Sequence, residues 1–260
     1  MMLQSKASTD STKIFSKTTD YYDKFRPTYP RELFDLLAAE YQINSSKIVA
    51  DIGSGTGIFS KHLLDRSYRV ISVEPNDDMR KIAESKLSKY REFTSVSATA
   101  EVTTIESNSI DIITVATAFH WFNPELTKKE FKRILKTNGW CFLVWNIRNN
   151  AIPIMQDYDS MMREHIDDYD KVVKNTNFAA DDMIIDFFKP NNVQINQFKN
   201  VQSLNLEGLK GRVLSVSYSP KFGDEKYAAL MAATEKLFDK YKTSGQVELH
   251  YQCKCYVGQL

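Results

Sequence analysis

The sequence predicts an α/β fold, a mostly parallel sheet with helices on both faces. Two observations carry this expectation. Between residues 47 and 147, short apolar runs alternate with segments of helical periodicity, the pattern that parallel strands with crossover helices produce. The first of these strands also runs into Gly53-Ser54-Gly55-Thr56-Gly57, a turn with glycine at every second position, and then into a helical segment. Glycine has no Cβ and tolerates positive φ, so such a turn bends sharply and lets a ligand lie against the backbone. A strand, a glycine turn and a helix start together make a nucleotide-binding site.

Each element follows from its pattern. Leu33, Leu36, Leu37 and Tyr41 share one face of an amphipathic helix, and Pro30 suits its first turn. Strand 47–52 precedes helix 57–65, in which Phe59 and Leu63 lie one turn apart. Strand 69–74 precedes helix 77–90, where Met79, Ile82, Ala83, Leu87 and Tyr90 fall at helical spacing. Residues 93–97 form a third short strand, and 110–116 form an apolar strand broken only by Asp111 and Thr114. Helix 125–136 then ends at the turn Thr137-Asn138-Gly139, and strand 140–147 follows. Beyond Asn150 the pattern changes. Residues 153–188 read as mainly helical, a candidate lid over the carboxyl edge of the sheet. A strand around 193–200, a helix over 224–242 and an alternating strand over 246–257 complete the chain. The expected organisation is a loose tail over 1–14 and one domain over 15–260, with an N-terminal flap and helix over 15–42 and a helical lid insert over 150–190.

Composition narrows the class. The chain has 260 residues, 42% hydrophobic and 26% charged, as in soluble globular proteins. Its 34 Lys+Arg balance 33 Asp+Glu, without the basic excess of a nucleic-acid binder. No run approaches the roughly 20 apolar residues of a membrane span. The polar, Ser/Thr/Lys-rich start lacks the apolar core of a signal peptide. Three cysteines form no disulfide framework in a chain this long. The expectation is a cytoplasmic protein, monomer or homodimer, acting on a small molecule and not on nucleic acid or membrane. His250, Cys253 and Cys255 do not suggest a metal site, because on a strand residue 250 faces away from 253 and 255.

The chemistry of the turn is specific. A dinucleotide fingerprint would read G-x-G-x-x-G, whereas this chain reads G-x-G-x-G with Asp51 two residues before the first glycine. A carboxylate there suits a ligand bearing an ammonium better than one bearing a pyrophosphate, and S-adenosylmethionine is such a ligand. Glu74 closes the next strand about 20 residues past the glycines, where a carboxylate accepts hydrogen bonds from ribose hydroxyls. Glu74 alone does not separate S-adenosylmethionine from NAD. Ala118-Phe119-His120-Trp121-Phe122 follows the strand over 110–116, at the sheet edge where open α/β proteins bind ligands. His120 is the candidate general base or hydrogen-bond donor there, Trp121 a candidate wall or π face toward a sulfonium. Phe119 and Phe122 are equally well read as core. Tyr21-Tyr22-Asp23-Lys24-Phe25-Arg26-Pro27 is either an arm packed on the sheet or a flap whose Tyr22 and Arg26 reach ligand carboxylates. Ser215, Ser217 and Tyr218 are weaker candidates for the acceptor pocket.

These segments, with Val73-Glu74-Pro75-Asn76, Met79 and Ala98-Thr99-Ala100-Glu101, resemble the class I S-adenosylmethionine-dependent methyltransferases. More narrowly they are similar to the methyltransferase type 11, trans-aconitate methyltransferase-like branch. The resemblance covers most of residues 15–147 and reappears at Gly211–Tyr218. It implies a Rossmann-like, seven-stranded, mostly parallel sheet with an antiparallel last strand, and S-adenosyl-L-methionine as cofactor. It further implies that Gly53, Gly55 and Gly57 shape the methionine site, Asp51 orients its ammonium, Glu74 holds the ribose, and Met79 and Ala100 flank the adenine. Ser54, Pro75, Glu101, Ala116 and Phe119 complete that expected shell, and Tyr22, Arg26, His120 and Trp121 stand at the reaction centre. Thr99 stands where related chains often carry Asp, so backbone near Ala100 is expected to meet the adenine amino group. The expected reaction is in-line methyl transfer to a small molecule, with O-methylation of a carboxylate or hydroxyl favoured. The alternatives are an NAD(P)-dependent oxidoreductase and a non-catalytic S-adenosylmethionine-binding protein.

Overall fold

The computed structural model describes residues 23–41, 43–170, 181–216 and 218–260. Its elements are α1 (Arg31–Glu40), β1 (Ile48–Ile52), α2 (Ile58–Leu64), β2 (Arg69–Val73), α3 (Asp77–Leu87), β3 (Phe93–Val96) and β4 (Ile110–Ala116). A 3-10 turn (Phe119–Trp121), α4 (Pro124–Ile134), β5 (Leu135–Arg148), α5 (Pro153–His165) and α6 (Asp181–Phe188) follow. The chain closes with β6 (Val193–Leu204), α7 (Leu206–Leu214), α8 (Tyr227–Tyr241) and β7 (Val247–Gly258).

The seven strands form one sheet in the order β3-β2-β1-β4-β5-β7-β6. β1 to β5 are mutually parallel, and β7 runs antiparallel to both β5 and β6. The chain leaves β1 outward to β2 and β3, then returns to place β4 on the other side of β1. That reversal opens a crevice at the carboxyl ends of the strands, where ligands of open α/β sheets bind.

Strand alternation sorts the core onto two faces. Val49, Val70, Phe142 and Val144 pack under α1, α2 and α3 with Phe34, Leu37, Phe59, Leu63 and Leu87. Ala50, Ile113, Leu143 and Trp145 face the opposite way, onto α4 and α6 through Phe131, Ile134, Phe187 and Phe188. In α1 the buried residues are Leu33, Phe34 and Leu37, and Leu36 is only partly buried. Phe34 takes the inner place because its ring meets Phe59 at 5.2 Å and stacks on His62 at 4.8 Å. Cys253 and Cys255 are both buried in the α1-side core.

Two boundaries differ from the sequence pattern. The helix expected over 125–136 stops at Ile134, and the expected turn at Thr137–Gly139 is absorbed into β5. Leu135 pairs with Ile110 and Trp140 with Ile112, so residues 136–139 bulge from the β4–β5 register, and Asp111 between them accepts from Ile48 N at 3.0 Å and from Lys136 Nζ at 2.9 Å. The helical stretch expected over 153–188 divides, with residues 171–180 outside the described residues. α5 packs with α7, α8 and the start of β7 in a separate core of Met155, Tyr158, Met162, Leu209, Val213 and Phe238. α6 instead joins the α4 face. Among the described residues no helix is long and apolar enough to cross a membrane.

Candidate active site

The crevice holds a cavity of about 400 Å³ that runs from the glycine turn to β5, β7 and the end of α7. Its two ends lie far apart, since β2 and β7 are four strand spacings from one another, about 19 Å.

At the β1–β2 end, Gly53, Gly55 and Gly57 have φ of +69°, +58° and +80°. These values explain the glycines, because only glycine holds such angles without strain. The turn is tied to the end of β2: Gly53 N and Ser54 N donate to Val73 O at 2.8 and 3.1 Å. Glu74 completes the tie, with Oε2 accepting from Gly55 N at 2.9 Å and Oε1 from Asn76 N at 2.8 Å. Burial raises the Glu74 carboxyl above its usual range, and these two backbone donors pull against that rise. A Cβ on Gly53 would stand 2.6 Å from Ala118 Cβ, so the turn and the end of β4 are in close approach.

The cavity wall here includes Ser54, Gly55, Glu74, Pro75, Met79, Thr99, Ala100, Glu101 and Ala116. Met79 is set by Asn76, whose Oδ1 accepts the Met79 N–H at 2.9 Å as the cap of α3. Glu101 Oε1 accepts from Asn123 N at 2.9 Å, which fixes the chain after the 3-10 turn.

Three expected cofactor residues do not line the cavity. Asp51 is fully buried beneath the turn, with Ser60 Oγ donating to Oδ2 at 2.6 Å and Thr114 Oγ1 to Oδ1 at 2.9 Å. It braces β1 against α2 and β4, and burial pushes its carboxyl up to about 6. Gly57 turns inward, where a Cβ would stand 2.6 Å from Leu87 Cδ1, so its task is helix packing. Phe119 is wholly buried among Phe122, Trp145 and Phe187, its ring 4.7 Å from that of Phe187.

In the middle of the crevice, after β4, Thr117 takes φ +57° and its Oγ1 meets Tyr29 Oη at 3.2 Å. This bend delivers His120 and Trp121 to the cavity wall. The His120 ring is half-buried and its Nδ1 has no partner among the described residues. Burial, with the Arg26 guanidinium nearby, pulls its pKa down to about 4, so the imidazole is neutral at neutral pH. Trp121 stands beside it, rings 4.9 Å apart, and remains 37% exposed. Arg26 also lines the cavity and donates from Nη2 to Ser215 O at 3.4 Å, linking the N-terminal segment to the end of α7. Tyr22 and Ser217 lie outside the described residues.

The far wall has only Tyr218 as a candidate from the sequence. It consists of Trp145, Asn146 and Arg148 from β5, Tyr251 from β7, and Arg212, Val216 and Tyr218 at and after α7. No described residue between 153 and 188 lines the cavity, and among the described residues that side is closed by the end of α7. The available signal was positional, since Asn146 and Arg148 close a strand at its carboxyl end.

The residues at the β1–β2 end fit an adenosyl amino acid. Glu74 presents acceptor oxygens at the end of β2. The hydroxyls of Ser54 and Thr56 are buried in the cavity wall without a partner among the described residues, and a polar ligand would satisfy both.

Known proteins give the same picture. A methyltransferase domain family model matches residues 50–143. An uncharacterized methyltransferase-like protein of Schizosaccharomyces pombe is 28% identical over 151 residues, 58% of each chain. The chain spans only 56–58% of the length of such curated relatives. Among solved structures, a putative type II methyltransferase from Anaeromyxobacter dehalogenans superposes with a TM-score of 0.63 at 19% identity, covering 90% of this chain and 98% of that one. Phosphoethanolamine N-methyltransferase 2 of Haemonchus contortus, solved with S-adenosyl-L-methionine, gives 0.58 at 14% identity, covering 94% of this chain and 57% of that one. At these identities the structural likenesses establish the fold alone. Over residues 50–143 the chain is similar to the methyltransferase domain family, and its strand order agrees with the fold of these solved methyltransferases.

Proposed function

We propose that this chain transfers the methyl group of S-adenosylmethionine to an oxygen of a small molecule. The observation that carries the reading is the single cavity joining the Glu74 end of the crevice to His120, Arg26 and the far wall. A donor held at the glycine turn and an acceptor held under α7 meet there below the β4 end.

Glu74 accepts the ribose hydroxyls, while Met79 and Ala100 bound the adenine. Ser54 and Thr56 offer hydroxyls to the amino acid end, and Asp51 acts from beneath by keeping the turn in shape. The sulfonium supplies a methyl group already activated toward nucleophiles, so orientation and water exclusion are the main tasks of the protein. In the transfer, an acceptor oxygen lone pair forms the new C–O bond as the S–CH3 bond breaks and its electron pair returns to sulfur. A hydroxyl acceptor must also lose its proton, and neutral His120 is placed to take it. A carboxylate acceptor is already a nucleophile, and His120 then serves as a hydrogen-bond donor. Trp121 closes the mouth as an apolar wall. A cavity of this size suits a small molecule.

The test is a methyl-transfer screen with labelled S-adenosylmethionine over small carboxylic acids and hydroxyl compounds. Transfer to a member of either class supports the reading. Transfer only to tRNA or protein overturns it.

A further inference from the structure

The far wall of the cavity carries positive charge that its own surroundings do not balance. Arg212 is 5% exposed and is held by Tyr251 and Ser215, its Nε donating to Tyr251 Oη at 3.1 Å and its Nη1 to Ser215 Oγ at 3.2 Å. These neutral hydroxyls occupy part of a five-donor fork. The rest of the fork has no partner, and no carboxylate pairs with Arg212, among the described residues. Burying a charge without a counter-charge is costly, so such groups are retained where a partner is to arrive. The position of Arg212 in the last turn of α7 offsets part of its charge through the helix carbonyls.

Arg148 stands on the same wall, half-buried, with Asp159 at 3.4 Å as its ion-pair partner. That carboxylate is shared: Arg163 Nη2 also reaches it at 2.9 Å, and Tyr169 Oη donates to it at 2.6 Å. Among the described residues, the only acids lining the cavity are Glu74 and Glu101, and both are engaged by backbone N–H groups at or toward the glycine-turn end. The charge therefore separates along the crevice, with carboxylates at the donor end and guanidiniums at the acceptor end.

We infer that Arg212, flanked by Arg148, anchors an anionic group of the methyl acceptor, a carboxylate or a phosphate, under the end of α7. This rests on the methyl-transfer reading above and names the acceptor class within it. A guanidinium fork is suited to either anion through paired N–H···O bonds. Tyr218 and Tyr251 flank the fork and limit the space for the rest of the molecule.

The experiment is calorimetry on the full chain saturated with S-adenosylhomocysteine. The probes are glutarate, its neutral dimethyl ester and inorganic phosphate. The expected result is that glutarate or phosphate binds and the ester does not, and whichever binds identifies the anion. Arg212→Gln keeps donors for Tyr251 and is expected to weaken that binding about tenfold or more. Arg212→Lys retains the charge and loses less, and both variants bind S-adenosylhomocysteine as the wild type does. Once an acceptor is in hand, Arg212→Gln raises KM far more than it lowers kcat. Failure of both dianions to bind the loaded protein, or undiminished binding in Arg212→Gln, overturns the inference while leaving the methyl-transfer reading standing. Failure of S-adenosylhomocysteine itself to bind the wild type removes that reading instead.

Discussion

The backbone N–H of Gly55 donates to Glu74 Oε2 at 2.9 Å, so the glycine turn and the end of β2 form one unit. A carboxylate that shapes the turn and also faces the cavity couples stability to cofactor binding. Removing it leaves the Gly55 and Asn76 N–H groups without an acceptor, at a cost of about 1–3 kcal/mol. Glu74→Ala is therefore expected to lower both the urea midpoint and the affinity for S-adenosylhomocysteine, the latter about tenfold or more. Loss of stability with unchanged affinity would show that Glu74 only braces the turn.

Asp51 gives a pH signature. Burial pushes its folded-state pKa up to about 6, above the value of about 3.9 in an unfolded chain. Between those values the folded state keeps a proton that the unfolded state has released. The burial penalty therefore grows as pH rises from about 4 to about 6, reaching on the order of 3 kcal/mol. Asp51→Asn escapes this penalty, so its stability relative to wild type should improve across that window. Urea unfolding of both proteins at about pH 4.5 and about pH 7.5 reads the difference. An identical gap at both values would contradict the assignment.

His120 shifts the opposite way. Its pKa falls to about 4 in the fold, against about 6.5 unfolded. The unfolded chain takes up a proton first, so stability present above about pH 6.5 is lost as pH falls toward 4. The same shift keeps the base neutral across the physiological range. Activity on a hydroxyl acceptor should hold with no acid limb near pH 6.5, and His120→Ala should lower kcat/KM by about 10²-fold or more while sparing cofactor affinity. An acid limb near 6.5 that vanishes in His120→Ala would contradict a ring desolvated in this way.

Gly211 tests how the N-terminal segment is seated. A Cβ there would stand 2.2 Å from Phe25 Cδ2, and Phe25 directly precedes Arg26. Gly211→Ala is expected to cost about 1–3 kcal/mol by overpacking and to reduce methyl transfer by displacing Arg26. Thermal unfolding measures the first effect and steady-state kinetics the second. A variant of wild-type stability would mean that Phe25 does not rest on α7.

What the sequence made legible was local. The strand–turn–helix at 48–64 and the carboxylate of Glu74 lie within one βαβ unit, and periodicity with glycine spacing was enough to read them. The sheet's distant half was harder. β7 pairs with β5 across more than a hundred residues, from Cys141↔Gly258 to Arg148↔Tyr251, and no local pattern encodes that register. Tyr251, Arg148 and Arg212 meet only because of it, so none of them stood out as a site residue. Asp51 and Phe119 are set differently from the rest of the expected cofactor shell. Their neighbours in sequence line the cavity, but strand and 3-10 geometry turn these two side chains into the core. The mixed character of residues 153–188 concealed two helices serving different cores, α5 under α8 and α6 against α4.

The central claim is that the crevice takes a methyl donor, and titration calorimetry of the chain with S-adenosylmethionine and with NADH tests it most directly. The account predicts saturable S-adenosylmethionine binding that is weakened about tenfold or more in Glu74→Ala, and no comparable heat from NADH. Tight NADH binding with no response to S-adenosylmethionine would contradict it.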